Sequence, residues 1–157
     1  MAAFNTFPPP SEIFIPLSDA QLAVLAEQVD AEAPVPTVQS RFNYAWGLLK
    51  SKEDGNVKMG INILTEMFKN VPSRRREFLY FLALGCFKLK EYRDAKRYVD
   101  VLINHSKSDG EGNSDVLLLK RMVDNELAKN SLIGFAIVSG GIAAAAGVAS
   151  YFMKNKK

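Results

Sequence analysis

Six stretches of the chain repeat apolar residues every three to four positions, the spacing that gives a helix one buried face. The first covers residues 19–33 behind Ser18, a good N-cap, with Leu22, Leu25, Ala26 and Val29 on one stripe. Pro34 and Pro36 stop it. A second covers residues 38–51, with Phe42, Ala45, Trp46 and Leu49 on one side, and residues 52–56, including Asp54-Gly55, read as a turn. A third carries Val57, Ile61, Leu64 and Phe68; Pro72 ends it and Ser73 can cap the next. The fourth, residues 74–89, is apolar nearly all round, as a helix with neighbours on several sides is. A fifth covers residues 92–105, with Tyr92, Ala95, Val99 and Leu102 facing inward. A polar loop with Gly110 and Gly112 follows, and then a sixth helix, residues 114–129, presenting Val116, Leu119, Val123 and Leu127. No stretch sustains period-two alternation. The pattern predicts an all-α fold, a six-helix bundle.

Within the bundle two units repeat. Gly47 and Ala83 lie 36 residues apart in mid-helix, and Gly60 and Ala95 lie 35 apart early in the following helices. Small side chains at those places let paired helices approach closely, and the period is near the 34 of a tetratricopeptide repeat. Stacked units curve, leaving the first helix of each pair on a concave face. In the second unit that face carries Glu77, Tyr80, Leu84 and Phe87, while Leu79, Leu82, Ala83 and Cys86 point to the core. In the first unit the equivalent face is Arg41, Tyr44 and Leu48, with a register uncertain by one residue. Residues on such a face are expected to add little to the core, although Tyr80 and Phe87 fit a core position equally well.

The two ends depart from this pattern. Residues 1–17 form an arm in which Phe4, Phe7, Ile13 and Phe14 alternate with prolines that forbid a regular helix. It is too apolar for a solvated linker, and an extended segment docked in a groove is the favoured reading over a free tail. At the other end, residues 132–153 contain no charged residue, and about 1.5 Å per helical residue makes them long enough for a hydrocarbon core of about 30 Å. The division expected is an arm (1–17), a helical domain (18–130), one C-terminal transmembrane helix (131–153) and a basic tail (154–157). Such an arrangement predicts insertion after synthesis, with the helical domain left in the cytosol. Small residues four apart in the span, such as Gly140 and Ala144, permit helix–helix contact and self-association in lipid.

Charge and chemistry narrow the function. The chain carries 20 Lys and Arg against 17 Asp and Glu. Lys154, Lys156 and Lys157 account for the whole excess, so the neutral body offers no nucleic-acid footprint. These three lysines are the candidate targeting tail. Cys86 stands alone among apolar neighbours and reads as a small buried hydrophobe. No phosphate-binding loop, metal-ligand cluster or nucleophile–base pair is present, so neither an enzyme nor a cofactor is expected. The single histidine, His105, falls at an expected helix end, where capping or exposure suits it better than catalysis. Arg74-Arg75-Arg76 is unusual, since cations oppose the dipole at a helix N-terminus. They suit an acidic partner, a carboxylate such as Glu77, or a plain solvated face.

Residues 40–48 (SRFNYAWGL), 73–77 (SRRRE), 85–89 (GCFKL) and 95–100 (AKRYVD) together resemble the mitochondrial fission 1 protein family, in order and spacing. The long arm is similar to that of fungal members. The resemblance implies two tetratricopeptide-like repeats in a six-helix cytosolic domain and a tail anchor in the mitochondrial outer membrane. It implies a receptor for mitochondrial, and often peroxisomal, division. Its partners would be a WD40-repeat adaptor and, through it, a dynamin-like GTPase. Carried onto this chain, the groove positions implied are Glu77, Leu84 and Phe87. Two other classes stay open, a tail-anchored tetratricopeptide co-chaperone and an import-receptor subunit. The aromatic and aliphatic character of the expected groove counts against a co-chaperone clamp, which would use Lys and Arg.

Overall fold

The structure, a computed structural model, describes residues 7–109 and 113–131. Phe4, the expected membrane span and Lys154, Lys156 and Lys157 lie outside the described residues. Among those described, no helix is long and apolar enough to cross a membrane.

Among the described residues a 3-10 turn, Pro10–Phe14, comes first, and six α-helices follow: α1 (Asp19–Ala31), α2 (Val38–Lys50), α3 (Asp54–Asn70), α4 (Arg75–Lys88), α5 (Tyr92–Asp109) and α6 (Ser114–Ser131). Ser18 starts α1 through a reciprocal cap. Its hydroxyl accepts from the Gln21 N–H at 3.2 Å, and the Gln21 side-chain carbonyl accepts from the Ser18 N–H at 2.9 Å. Helices that are neighbours in sequence pack on each other, making two repeats of tetratricopeptide type, α2–α3 and α4–α5, with α1 and α6 at the ends.

The small residues hold these pairs together. A Cβ on Gly60 would lie 2.8 Å from the Ala45 carbonyl oxygen, so α3 rests directly on the α2 backbone. Gly47 serves a different contact from the one its place in the repeat suggests. A Cβ there would meet Leu25 at 3.0 Å and Leu22 at 3.1 Å, which makes it the seat of α1. The α1 stripe is half-buried, because that helix covers one end of the stack. Every residue of α4 from Phe78 to Phe87 is buried, as its all-round apolarity requires. Cys86 is among them, and burial pushes its thiol well above the ordinary range.

Three local expectations change, and one feature of α4 is new. Asp54-Gly55 is the first turn of α3 rather than a separate turn, with the Asp54 carboxylate near the positive end of the helix dipole. Ser73 does not cap α4; it lies in a short 3-10 turn, Pro72–Arg74, and no side chain caps that helix. His105 lies inside α5 rather than at its end, since the helix runs on to Asp109. The next residue, Ser106, is buried and donates to the Leu102 carbonyl while accepting from Arg76, each at 2.9 Å. Finally, α4 ends in a Schellman motif: the Glu91 N–H reaches the Cys86 carbonyl, the Lys90 N–H reaches Phe87, and Lys90 itself takes a φ of 61°.

Candidate partner-binding groove

The arm rests on α2, α4 and α6. Phe7 lies flat on Tyr80, with ring centroids 4.3 Å apart and planes 10° from parallel. The Tyr80 hydroxyl donates to the Pro8 carbonyl at 2.7 Å. Burial raises the Tyr80 phenol above its ordinary range, and the Asp115 carboxylate of α6 adds to the effect. Further along, Ile13 is wholly buried, and the Lys88 ammonium donates to its carbonyl at 3.0 Å. Lys50 lies over the Trp46 ring and pairs with Glu12 at 3.5 Å.

Proline chemistry explains this shape. Pro10 fixes the backbone for the first residue of a helical turn and lacks the N–H that such a position leaves unpaired. The arm is therefore not extended throughout; one 3-10 turn buries Ile13 and turns Phe14 outward. Phe14 is 53% exposed, against the expectation that it docks, and touches Phe87 edge-on at 6.2 Å. Burying Phe7 and Ile13 is worth roughly 1.5–3 kcal/mol each before the entropy of ordering the arm is subtracted.

The second-repeat positions come together, but not as an open face. Tyr80 and Leu84 are wholly buried and Phe87 is 8% exposed, so these side chains contribute to the core beneath and beside the arm. Phe87 also packs on Tyr92 at 5.4 Å. Glu77 is half-buried and gripped on both oxygens by Arg74, at 2.7 and 2.8 Å. Arg74 in turn stacks on Phe42 and Phe78.

The first-repeat positions need a correction. Arg41 pairs with Glu66 of α3 at 3.1 Å, and the Tyr44 hydroxyl meets the Met59 sulfur of α3 at 4.0 Å. Leu48 is buried with its Cβ near Gly60. All three face the partner helix within the repeat. The α2 residues that meet α4 and the arm are Phe42, Trp46 and Lys50, one turn apart from each other. Phe42 and Trp46 each contact Phe81 edge-on at 4.8 Å. Their spacing of four was visible in the sequence and marks the face that the repeat alignment missed.

The three arginines are not a solvated face. Arg75 reaches back to the carbonyls of Phe68 and Lys69 at the end of α3, at 2.8 and 3.2 Å, and Arg76 bonds Ser106. Their charges satisfy a helix C-terminus, a carboxylate and a hydroxyl, which offsets their opposition to the α4 dipole. Among the described residues no group of His, Cys, Asp or Glu is placed to hold a metal ion.

Known proteins share this architecture. Residues 39–71 match the family model of the Fis1 N-terminal tetratricopeptide repeat, and residues 76–132 that of the Fis1 C-terminal tetratricopeptide repeat. The mitochondrial fission 1 protein of Saccharomyces cerevisiae is 44% identical over 158 aligned residues, spanning 100% of this chain and 99% of its own. A crystal structure of yeast Fis1 in complex with an Mdv1 fragment containing N-terminal extension and coiled coil domains superposes with a TM-score of 0.75. That match is 44% identical and covers 83% of this chain and 99% of the other. Yeast Fis1 complexed with a Caf4 fragment superposes with a TM-score of 0.58 at 50% identity, over 60% of this chain and 97% of the other.

Proposed function

Because the chain belongs to the mitochondrial fission 1 protein family, a family of tetratricopeptide adaptors rather than enzymes, we propose that it is the receptor that recruits the division machinery to mitochondria. In this reading the helical domain holds a WD40-type adaptor, and the adaptor brings a dynamin-like GTPase to the membrane. The domain, residues 18–130, stands in the cytosol. Residues 131–153 form the outer-membrane anchor and a site of self-association, with Lys154, Lys156 and Lys157 as its address. Peroxisomal division is a second task of the same anchor and domain.

One observation carries the reading: the face made by α2, α4 and α6 holds an apolar segment through ring stacking and hydrogen bonds to main-chain carbonyls. Contacts of this kind ask little of sequence, so a face that accepts the chain's own arm suits a partner's apolar segment as well. The adaptor fragments bound to yeast Fis1 support it. A co-chaperone clamp would need free Lys and Arg on this face, whereas Lys50, Lys88 and Arg74 are engaged.

Titrating an adaptor fragment against the full chain and against a chain lacking residues 1–16 tests the proposal. Binding by both, tighter without the arm, is the expected result and makes the arm a lid. Looser binding without the arm makes it part of the binding surface. Absence of binding by either form sinks the receptor reading.

A further inference from the structure

The C-terminal ends of α2, α4 and α6 lie together at one end of the stack. Lys88, the last residue of α4, donates to the Leu49 carbonyl in the last turn of α2 and to the Ile13 carbonyl of the arm, each at 3.0 Å. Its neighbour Phe87 packs on Tyr92, the first residue of α5, whose phenol faces the Glu126 carboxylate of α6. Glu126 pairs with Lys129 at 2.9 Å, two residues before α6 ends at Ser131.

The arm crosses this same end. Ile13 enters the core, Phe14 touches Phe87 edge-on, and three residues later Leu17 seats on Gly47 near the end of α2. Between those two fixed points the chain turns apolar side chains outward. Phe14 and Ile15 are neighbours in sequence, and each is more than half exposed.

What lies beyond this end follows from the sequence. Residues 132–153 continue directly from α6 and carry no charged residue. With those residues as the anchor, the bilayer begins at the end of the stack where Phe14 and Ile15 are exposed. At about 1.5 Å per helical residue, Glu126 stands about 7–8 Å above Ser131, and the headgroup zone is about 5–8 Å deep. Aromatic rings are favoured in that zone, and lysines there can reach lipid phosphates. Lys90, in the turn between α4 and α5, and Lys129 are both exposed at this end.

We propose that Phe14 and Ile15 are a bilayer contact: with the arm docked, they rest in the headgroup zone of the membrane that holds the anchor. The contact exists only while Ile13 and Leu17 fix where the pair points, so the membrane favours the docked arm and orients the domain. This rests on the anchor reading, and not on which partner the groove receives.

The test uses the full chain in vesicles of phosphatidylcholine and phosphatidylethanolamine. Phosphatidylcholine brominated near the headgroup end of its chains is the quencher of tryptophan emission. Phe14→Trp is compared with Val35→Trp, which lies beyond the opposite end of α2 and is exposed, and the emission of the parent's Trp46 is subtracted. The added indole is expected to be quenched at least about twofold in Phe14→Trp and hardly at all in Val35→Trp, since α2 separates the two ends by about 18 Å. Ile15→Trp should behave as Phe14→Trp and covers the case of one variant failing to fold. Equal quenching at positions 14 and 35 overturns the proposal. So does an indole at position 14 that acrylamide cannot reach and the brominated lipid does not quench, because a protein then covers the pair. An alkaline wash of the same vesicles tests the anchor separately. A chain that washes away defeats the anchor reading and the proposal together, whereas a chain retained but unquenched at positions 14 and 15 defeats the proposal alone.

Discussion

Phe7 and Tyr80 are bound twice over: their rings stack at 4.3 Å, and the tyrosine hydroxyl closes on the carbonyl of the next arm residue, Pro8. The contact joins residues 73 positions apart and makes the arm a tertiary element of the fold. It also separates two ways of loosening the arm. Phe7→Ala removes the stack and should cost about 2–3 kcal/mol, less than a core Phe→Ala change because an arm can undock instead of leaving a cavity. Tyr80→Phe keeps the stack, leaves the Pro8 carbonyl without its donor, and should cost about 1 kcal/mol. Urea unfolding measures both, and thermolysin cleavage before Ile13 should accelerate more in Phe7→Ala. Equal protection of the two variants would mean that the stack does not hold the arm.

Glycine substitutions on α3 should move stability in opposite directions. A methyl group at Gly60 meets the Ala45 carbonyl oxygen at 2.8 Å, a backbone atom that cannot turn aside. Gly60→Ala should therefore push α2 and α3 apart at a cost of about 1–3 kcal/mol, outweighing its better helix propensity. At Gly55 nothing lies within 4 Å of the new methyl. Gly55→Ala should gain up to about 1 kcal/mol through a less mobile unfolded chain. Thermal melts of the two variants against the parent decide it, and a shift of the same sign in both would count against close packing at Gly60.

That pair also shows how far the sequence could be read. Apolar patterning located the helices: five turn an apolar stripe to their neighbours with charges on the other side, and α4 stands out as an unbroken apolar run. Ser18 was legible as a cap from its own chemistry. Asp54-Gly55 suits a turn and the first turn of a helix equally, and only the burial of Val57 and Ile61 and the seating of Gly60 on α2 select the helix. Helix α4 gave no face at all, being apolar on every side, so alignment to α2 had to supply one. The alignment then placed Arg41 and Tyr44 in the groove, where Glu66 and Met59 draw them to α3 instead. Arm docking was legible in its excess of phenylalanine. The identity of the buried residues was not, since the turn started by Pro10 decides that Ile13 enters and Phe14 leaves.

Tyr98 carries a buried hydroxyl with no hydrogen-bond partner among the described residues. Burial raises its phenol above the ordinary range, and the neighbouring Cys86 and Asp94 add to the rise. An unpaired buried hydroxyl costs more than the hydrogen atom that replaces it. Tyr98→Phe should therefore stabilise the fold by about 1 kcal/mol, a rise of roughly 3–6 °C in Tm for a domain of this size. A lower Tm in the variant would show that the hydroxyl has a partner, such as a buried water, whose bond is worth more than its burial costs.

Lys88 should leave a signature in the pH dependence of stability. Its folded pKa is about 8, while the unfolded side chain titrates at its ordinary 10.5. Below about pH 8 both states hold the proton, and the group imposes a constant penalty from burying an ammonium. Between about 8 and 10.5 the folded chain has shed the proton and the unfolded chain has kept it, so stability rises with pH across that window. Lys88→Met cannot titrate and should lack this rise. The tyrosines that ionise nearby are common to both proteins and cancel in the comparison. Urea midpoints measured from about pH 7 to about pH 10 should therefore show the parent gaining on the variant, with most of the change above pH 8. A constant difference would mean that Lys88 remains an ammonium throughout, held in that form by the Ile13 and Leu49 carbonyls and by Asp54.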